Sequence, residues 1–212
     1  MMGQTLVEDG RLARSRRTRQ AVVDALIALL EEGDLRPTAA RVAARAGVSL
    51  RTVYQHFDDL EALFATVAER QSELLGALPP LPETRGALPW RIARYTRWRA
   101  QRLERVAPMR RAATLQEPFS RVVHERLEQL RAMAREELAT IFAPELDRLP
   151  PHLRRDTLAA LRAATAWEAW ENLRVEQRLS VAAARRIFAR TIASILASAL
   201  ARATRSSAPT DT

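Results

Sequence analysis

Apolar residues recur along this chain at three-four spacing, and proline and glycine divide the repeats into blocks. No window combines strict alternation with β-branched enrichment, so the pattern predicts an all-α fold without a sheet. The first helix is expected from about Ser15 to Glu32, with Val22, Ala25, Leu26 and Leu29 on one face and Gly33 and Pro37 ending it. A second starts at Thr38, whose hydroxyl can cap the first turn, and stops near Gly47 after Val42, Ala43 and Ala46. Ser49 is the natural N-cap of a short third helix through His56. Asp58 or Asp59 caps a fourth, which carries Leu63, Phe64 and Val67 to about Leu75.

Residues 76–89 hold Gly76, Pro79, Pro80, Pro82, Gly86 and Pro89, a density that no continuous helix tolerates. This linker divides a domain at 15–75 from a helical domain at 90–204. In the second domain the pattern predicts helices over about 89–106, 109–117, 119–142, 152–178 and 180–203, separated by Pro108, Pro118, Pro144 and the Pro150-Pro151 pair. Residues 1–14 read as a flexible Arg-rich arm and 205–212 as a disordered tail.

Two short helices joined by a tight glycine turn, behind a longer packing helix, make a helix-turn-helix over 38–57. Val42, Ala43, Ala46, Val48 and Val53 face inward and are small enough for a close crossing. Leu50, Arg51, Thr52, Gln55 and His56 are left to face outward, and most of them can hydrogen-bond.

The run Ala43-Ala44-Arg45-Ala46-Gly47-Val48-Ser49, then Thr52-Val53-Tyr54-Gln55-His56-Phe57, then Glu61-Ala62-Leu63-Phe64 resembles the DNA-binding head of the tetracycline-repressor (TetR) family. The resemblance covers about residues 15–75. It implies a regulator with a three-helix head and a C-terminal bundle for ligand binding and dimerisation. Arg51 and Gln55 would then meet base edges, while Thr52, Tyr54 and His56 grip phosphates. Ser49 and Leu50, at the start of the reading helix, complete this contact set.

Two positions depart from the family pattern. Leu60 stands where a basic residue usually opens the fourth helix, and Ala39-Ala40 replace longer polar side chains, leaving Thr38 and Arg41 as DNA contacts on the second helix. Arg11, Arg14, Arg16, Arg17 and Arg19 either compensate by touching the backbone or a minor groove, or form a solvated tail and polar helix face. Tyr54 and Phe57 read either as contacts or as aromatics of the head core.

The body resembles the family in architecture only. The implied operator is palindromic, read by a homodimer through the last two helices with reading heads ~34–36 Å apart, and a small-molecule effector shifts the protein between two states. On the last helix, Ala184, Ile187, Phe188, Thr191, Ile195 and Ser198, with Ala193 and Ala197 nearby, suit either a dimer seam or the chain's own core. In the helix expected at 89–106, the stripe Ile92, Tyr95, Arg99, Leu103 and Val106 is apolar except at its centre. Arg99 therefore points inward and needs either an anionic ligand or a carboxylate such as Glu168 or Glu171. Tyr95, Trp98, Met109, Trp167 and Trp170 either line an apolar pocket around it or belong to the core.

Charge adds less than its size suggests. The formal net charge is +9, but all 34 basic residues are arginine, as a GC-rich coding sequence produces, and residues 1–75 hold ten arginines against eleven acids. With no cysteine, the chain can form no disulfide or thiolate site. The three histidines are isolated, no glycine-rich phosphate loop is present, and no carboxylate-histidine cluster has metal spacing, so neither an enzyme nor a cofactor or metal is expected. The absence of an apolar signal core or a run of ~20 apolar residues points to an intracellular, cytoplasmic protein. A membrane-surface scaffold using the Arg-rich 91–105 helix is the competing binding role, and it leaves the head motif without purpose.

Overall fold

The computed structural model describes residues 2–76 and 78–206 and is all-α among them. The chain forms two compact units, one from residues up to 77 with 106–127, the other from 78–105 with 128 onward. One boundary between them, 77/78, falls within the proline-rich segment. Residues 106–127, expected in the second domain, cluster instead with the head.

In the first unit, α1 (Met2–Glu31) buries Val22, Val23, Leu26, Leu29 and Leu30. It begins at Met2, so residues 2–14 of the expected arm lie within the helix, and Thr18 Oγ1 back-bonds to the Arg14 carbonyl at 3.1 Å. Helix α2 (Ala39–Ala46) starts where Thr38 Oγ1 accepts from Arg41 N at 3.3 Å, and ends on Gly47, at φ 68°. That left-handed backbone is where glycine has no Cβ penalty, and it brings Val48 N to the Ala43 carbonyl at 3.0 Å. Helix α3 (Leu50–His56) starts from Ser49, whose Oγ accepts from Thr52 N at 3.0 Å. Helix α4 (Leu60–Gly76) is capped by Asp59, Oδ1 accepting from Ala62 N at 2.8 Å. The core of this unit joins Leu26, Val42, Val53, Phe57, Leu63 and Val67 with Met109 and Ala112.

Helix α5 (Leu88–Gln116) contributes to both units and runs straight through Pro108. The expected break there is corrected by burial: Leu103, Val106, Ala107, Met109 and Ala112 are all buried around the proline, and that packing outweighs the ~3 kcal/mol an interior proline costs. Helix α6 (Arg121–Ile141) follows, capped by Ser120 Oγ, which accepts from Val123 N at 3.2 Å.

The second unit continues with α7 (Ala143–Leu146), α8 (Pro151–Ala164), α9 (Trp167–Glu171), a π-helical turn over Asn172–Glu176, and α10 (Val181–Ser206). A single helix over 152–178 was expected, but the chain breaks at Thr165. Thr165 is buried with its hydroxyl on the Leu161 carbonyl at 2.9 Å, and Ala166 turns extended at ψ 162°. The core here includes Ile92, Tyr95, Trp98, Leu138, Phe142, Leu161, Ile192 and Leu196. Tyr95 contacts Phe142 edge-on, with ring centres 5.6 Å apart. Helix α10 is long and apolar enough by composition to cross a membrane, yet it puts Ala184, Phe188, Ile192, Leu196 and Ala199 into the unit's interior. Of the expected tail, residues 207–212 lie outside the described residues.

Candidate nucleic-acid interface

Helix α3 divides its side chains cleanly. Val53 and the capping Phe57 are buried, whereas Leu50, Arg51, Tyr54 and Gln55 are exposed and Thr52 and His56 half-buried. The spacing explains the core of the division: positions 53 and 57 share a face one helical turn apart, and 51 and 55 fall on the opposite one. Arg51 and Gln55 have no intramolecular partner among the described residues, so their hydrogen-bonding groups are available to an external surface. By contrast, Arg45 is held by Glu32 in a two-point pair at 2.6 and 3.1 Å.

The capping chemistry doubles as surface chemistry. Ser49 Oγ and Thr52 Oγ1 lie 2.8 Å apart, so both hydroxyls are already engaged at the start of the helix. On α2, Thr38 is exposed and Arg41 leans on Asp34, Nε to Oδ2 3.2 Å. Tyr54 is 51% exposed while Phe57 is 4% exposed, which resolves the two aromatics into one surface and one core residue. Arg19 leaves the set of arm residues: its guanidinium lies 4.9 Å from the centre of the Phe57 ring and donates to Thr66 Oγ1 at 3.0 Å. Leu60 packs against the head core, so its departure from a basic residue supplies an apolar contact instead.

Residues 22–67 match the model of the bacterial regulatory proteins, tetR family. The likeness to that family by sequence is confined to the head. That family consists of transcription regulators, not enzymes. The chain is similar in fold to a tetR-family transcriptional regulator from Streptomyces coelicolor, at 17% identity and TM-score 0.64, covering 92% of this chain and 91% of that one. It is likewise similar to a transcriptional regulator from Rhodococcus sp. Rha1, at 19% identity and TM-score 0.62, covering 85% of this chain and 96% of that one. No curated protein sequence gives a significant match.

The second unit, described by itself, only partly gathers the expected pocket residues. Met109 packs in the head core, so it leaves the set. Tyr95 and Trp98 are neighbours in one core, with ring centres 5.9 Å apart. Trp167 is buried, and Trp170 forms a separate group, edge-on to Phe188 at 5.1 Å with Nε1 donating to Glu104 Oε1 at 2.9 Å. Glu104 also receives Arg174 Nε at 2.9 Å, a bond that raises the arginine's pKa above its ordinary value.

Arg99 does point inward, but neither Glu168 nor Glu171 is its counter-ion. Its Nη1 lies 3.6 Å from Glu137 Oε2 on α6, and its Nε and Nη2 donate to the Thr165 carbonyl at 3.4 Å. That carbonyl is free to accept because the helix breaks at Thr165. Burial raises the Glu137 carboxyl, with Arg99 and Arg102 pulling it back. Burial also raises the Tyr95 phenol, with Arg99 and the nearby Thr165 side chain pulling it back, and no group among the described residues makes a well-formed hydrogen bond to its hydroxyl. Glu137 was missed because its signal, an acid beside Leu138 and near Ile141 on the buried stripe of α6, gains meaning only once α5 is known to face it. The Arg91–Glu145 pair was missed for the same reason.

Proposed function

We propose that this protein is a ligand-responsive repressor that binds a palindromic operator as a homodimer and works in the cytoplasm. The exposed, unpartnered Arg51 and Gln55 on α3 carry the reading. Thr38, Arg41, Ser49, Leu50, Thr52, Tyr54 and His56 form the rest of the contact set, with Arg51 and Gln55 meeting base edges and the others holding the backbone and register. Dimerisation through α8 and α10 is supported by the surface these helices leave open. Ala159, Ala160 and Ala163 on α8 and Ala193, Ala197 and Ala201 on α10 are all exposed, and small residues permit close helix approach. The stripe is narrower than the sequence suggested, because Ala184 and Phe188 are buried in the chain's own core. Effector response is supported by the buried polar group of Tyr95, Arg99 and Glu137 beside Trp98, in which a phenol and a carboxylate oxygen lack hydrogen bonds.

Selection of genomic fragments by the purified protein at about 150 mM salt, where phosphate attraction is partly screened, tests the reading. Recovery of one two-fold-related site supports it. Uniform recovery of unrelated fragments, or of none at lowered salt, rejects sequence-specific operator binding.

A further inference from the structure

A proline strap runs along the exposed flank of α5. Trp98 Nε1 donates to the Pro79 carbonyl at 2.8 Å, which fixes the strap to the helix. Between them lies a groove of about 440 Å³, with Pro79, Pro80 and Pro82 on one side and Trp90, Arg94 and Arg97 on the other. Trp90 is 44% exposed, and the Arg94 guanidinium sits 4.7 Å from its ring centre. Gly86, at φ 102°, backs the same indole so closely that a Cβ there would meet the ring at 3.2 Å. The indole is thus a fixed apolar wall.

The electrostatics of this groove are one-sided. Arg97 is exposed with no partner among the described residues, Arg94 is engaged only with the ring, and none of the residues lining the groove is acidic. Prolines bring no amide donor to the opposite wall, so the groove combines apolar surface with two guanidiniums and the Gln101 amide at its edge. A guanidinium binds a carboxylate through two parallel hydrogen bonds, and the volume lies within the range of small-molecule sites. A long polyanion would find charge only along one wall.

We propose that this groove binds a small carboxylate with an aromatic body, the ring against Trp90 and the prolines and the carboxylate on Arg97 and Arg94. The groove is a second site, separate from the buried Arg99 group, and its regulatory meaning rests on the ligand-responsive reading above. Its binding test needs no DNA, so failure here leaves operator binding to be judged by fragment selection.

The test is calorimetric titration of the full chain with 2-naphthoate and with the neutral 2-naphthamide. The expected result is that the naphthoate binds about tenfold or more tightly than the amide. Arg97→Ala and, independently, Trp90→Ala should each weaken naphthoate binding by a similar factor. Equal binding of the two probes, absence of naphthoate binding, or binding that Arg97→Ala leaves unchanged would overturn the proposal. So would attachment to phosphatidylglycerol vesicles that naphthoate does not compete away, since this would assign the arginines to a lipid surface.

Discussion

Arg91 and Glu145 form a buried two-point ion pair: Arg91 Nη1 lies 2.9 Å from Glu145 Oε2, and Nη2 meets Oε1. The same guanidinium donates to the Ile141 carbonyl at 2.7 Å and the Gly86 carbonyl at 3.1 Å, tying α5, α6 and the loop before α5 to one group. Arg91 is 2% exposed and Glu145 7%. Removing one partner leaves the other charge stranded, which costs about 3–5 kcal/mol. Glu145→Ala should therefore lower the unfolding free energy from denaturant titration by about 3–5 kcal/mol, a large share of the ~5–15 kcal/mol of a typical domain, and a change below about 1 kcal/mol would show that the pair is not closed in solution.

Glu137 predicts a pH dependence with a definite sign. Burial raises its folded-state pKa above the ordinary 4.5, so the native chain keeps this proton to higher pH than the unfolded chain does. Its contribution to stability thus falls as pH rises from 4.5 through the raised folded value and is level above it. The difference in Tm, wild type minus Glu137→Gln, should decline across that window. A difference that does not vary with pH would mean that the group does not titrate inside the folded protein.

Arg51→Ala should cost about 1–3 kcal/mol of discrimination between operator and scrambled DNA and relax preference at one base position. Because Arg51 is exposed and makes no internal bond, its removal should move folding stability by less than about 0.5 kcal/mol. Competition binding and thermal melting of the same variant check the two halves. Unchanged preference removes Arg51 from the reading set.

Ala197→Glu tests the seam. The alanine is exposed in the single chain, so the substitution should leave the helical content intact while placing a charge in the dimer contact. Sedimentation at micromolar concentration should show monomers. A dimer of undiminished strength would place the contact elsewhere.

The head was legible in the sequence because its determinants are local. Thr38, Gly47, Ser49 and Asp59 each act within a few residues of themselves, and the spacing of Val53 and Phe57 fixes which side of α3 turns outward. The body was legible as helices but not as partnerships. Arg99 announced a buried cation, yet the choice of Glu137 over Glu168 or Glu171 depends on which helix faces α5, and periodicity along one helix holds no such information. The break at Thr165 was invisible because no proline or glycine marks it. Pro108 misled in the other direction, since tertiary burial on both sides overrides a local breaker.

The division of labour on α3 has an evolutionary consequence. Val53 and Phe57 are committed to folding, but Arg51 and Gln55 hold nothing together. Substitutions at the two outward positions can therefore accumulate with little thermodynamic penalty. A duplicated copy of such a gene could drift to a new binding site while its product stays folded throughout, so regulatory novelty need not pass through an unstable intermediate.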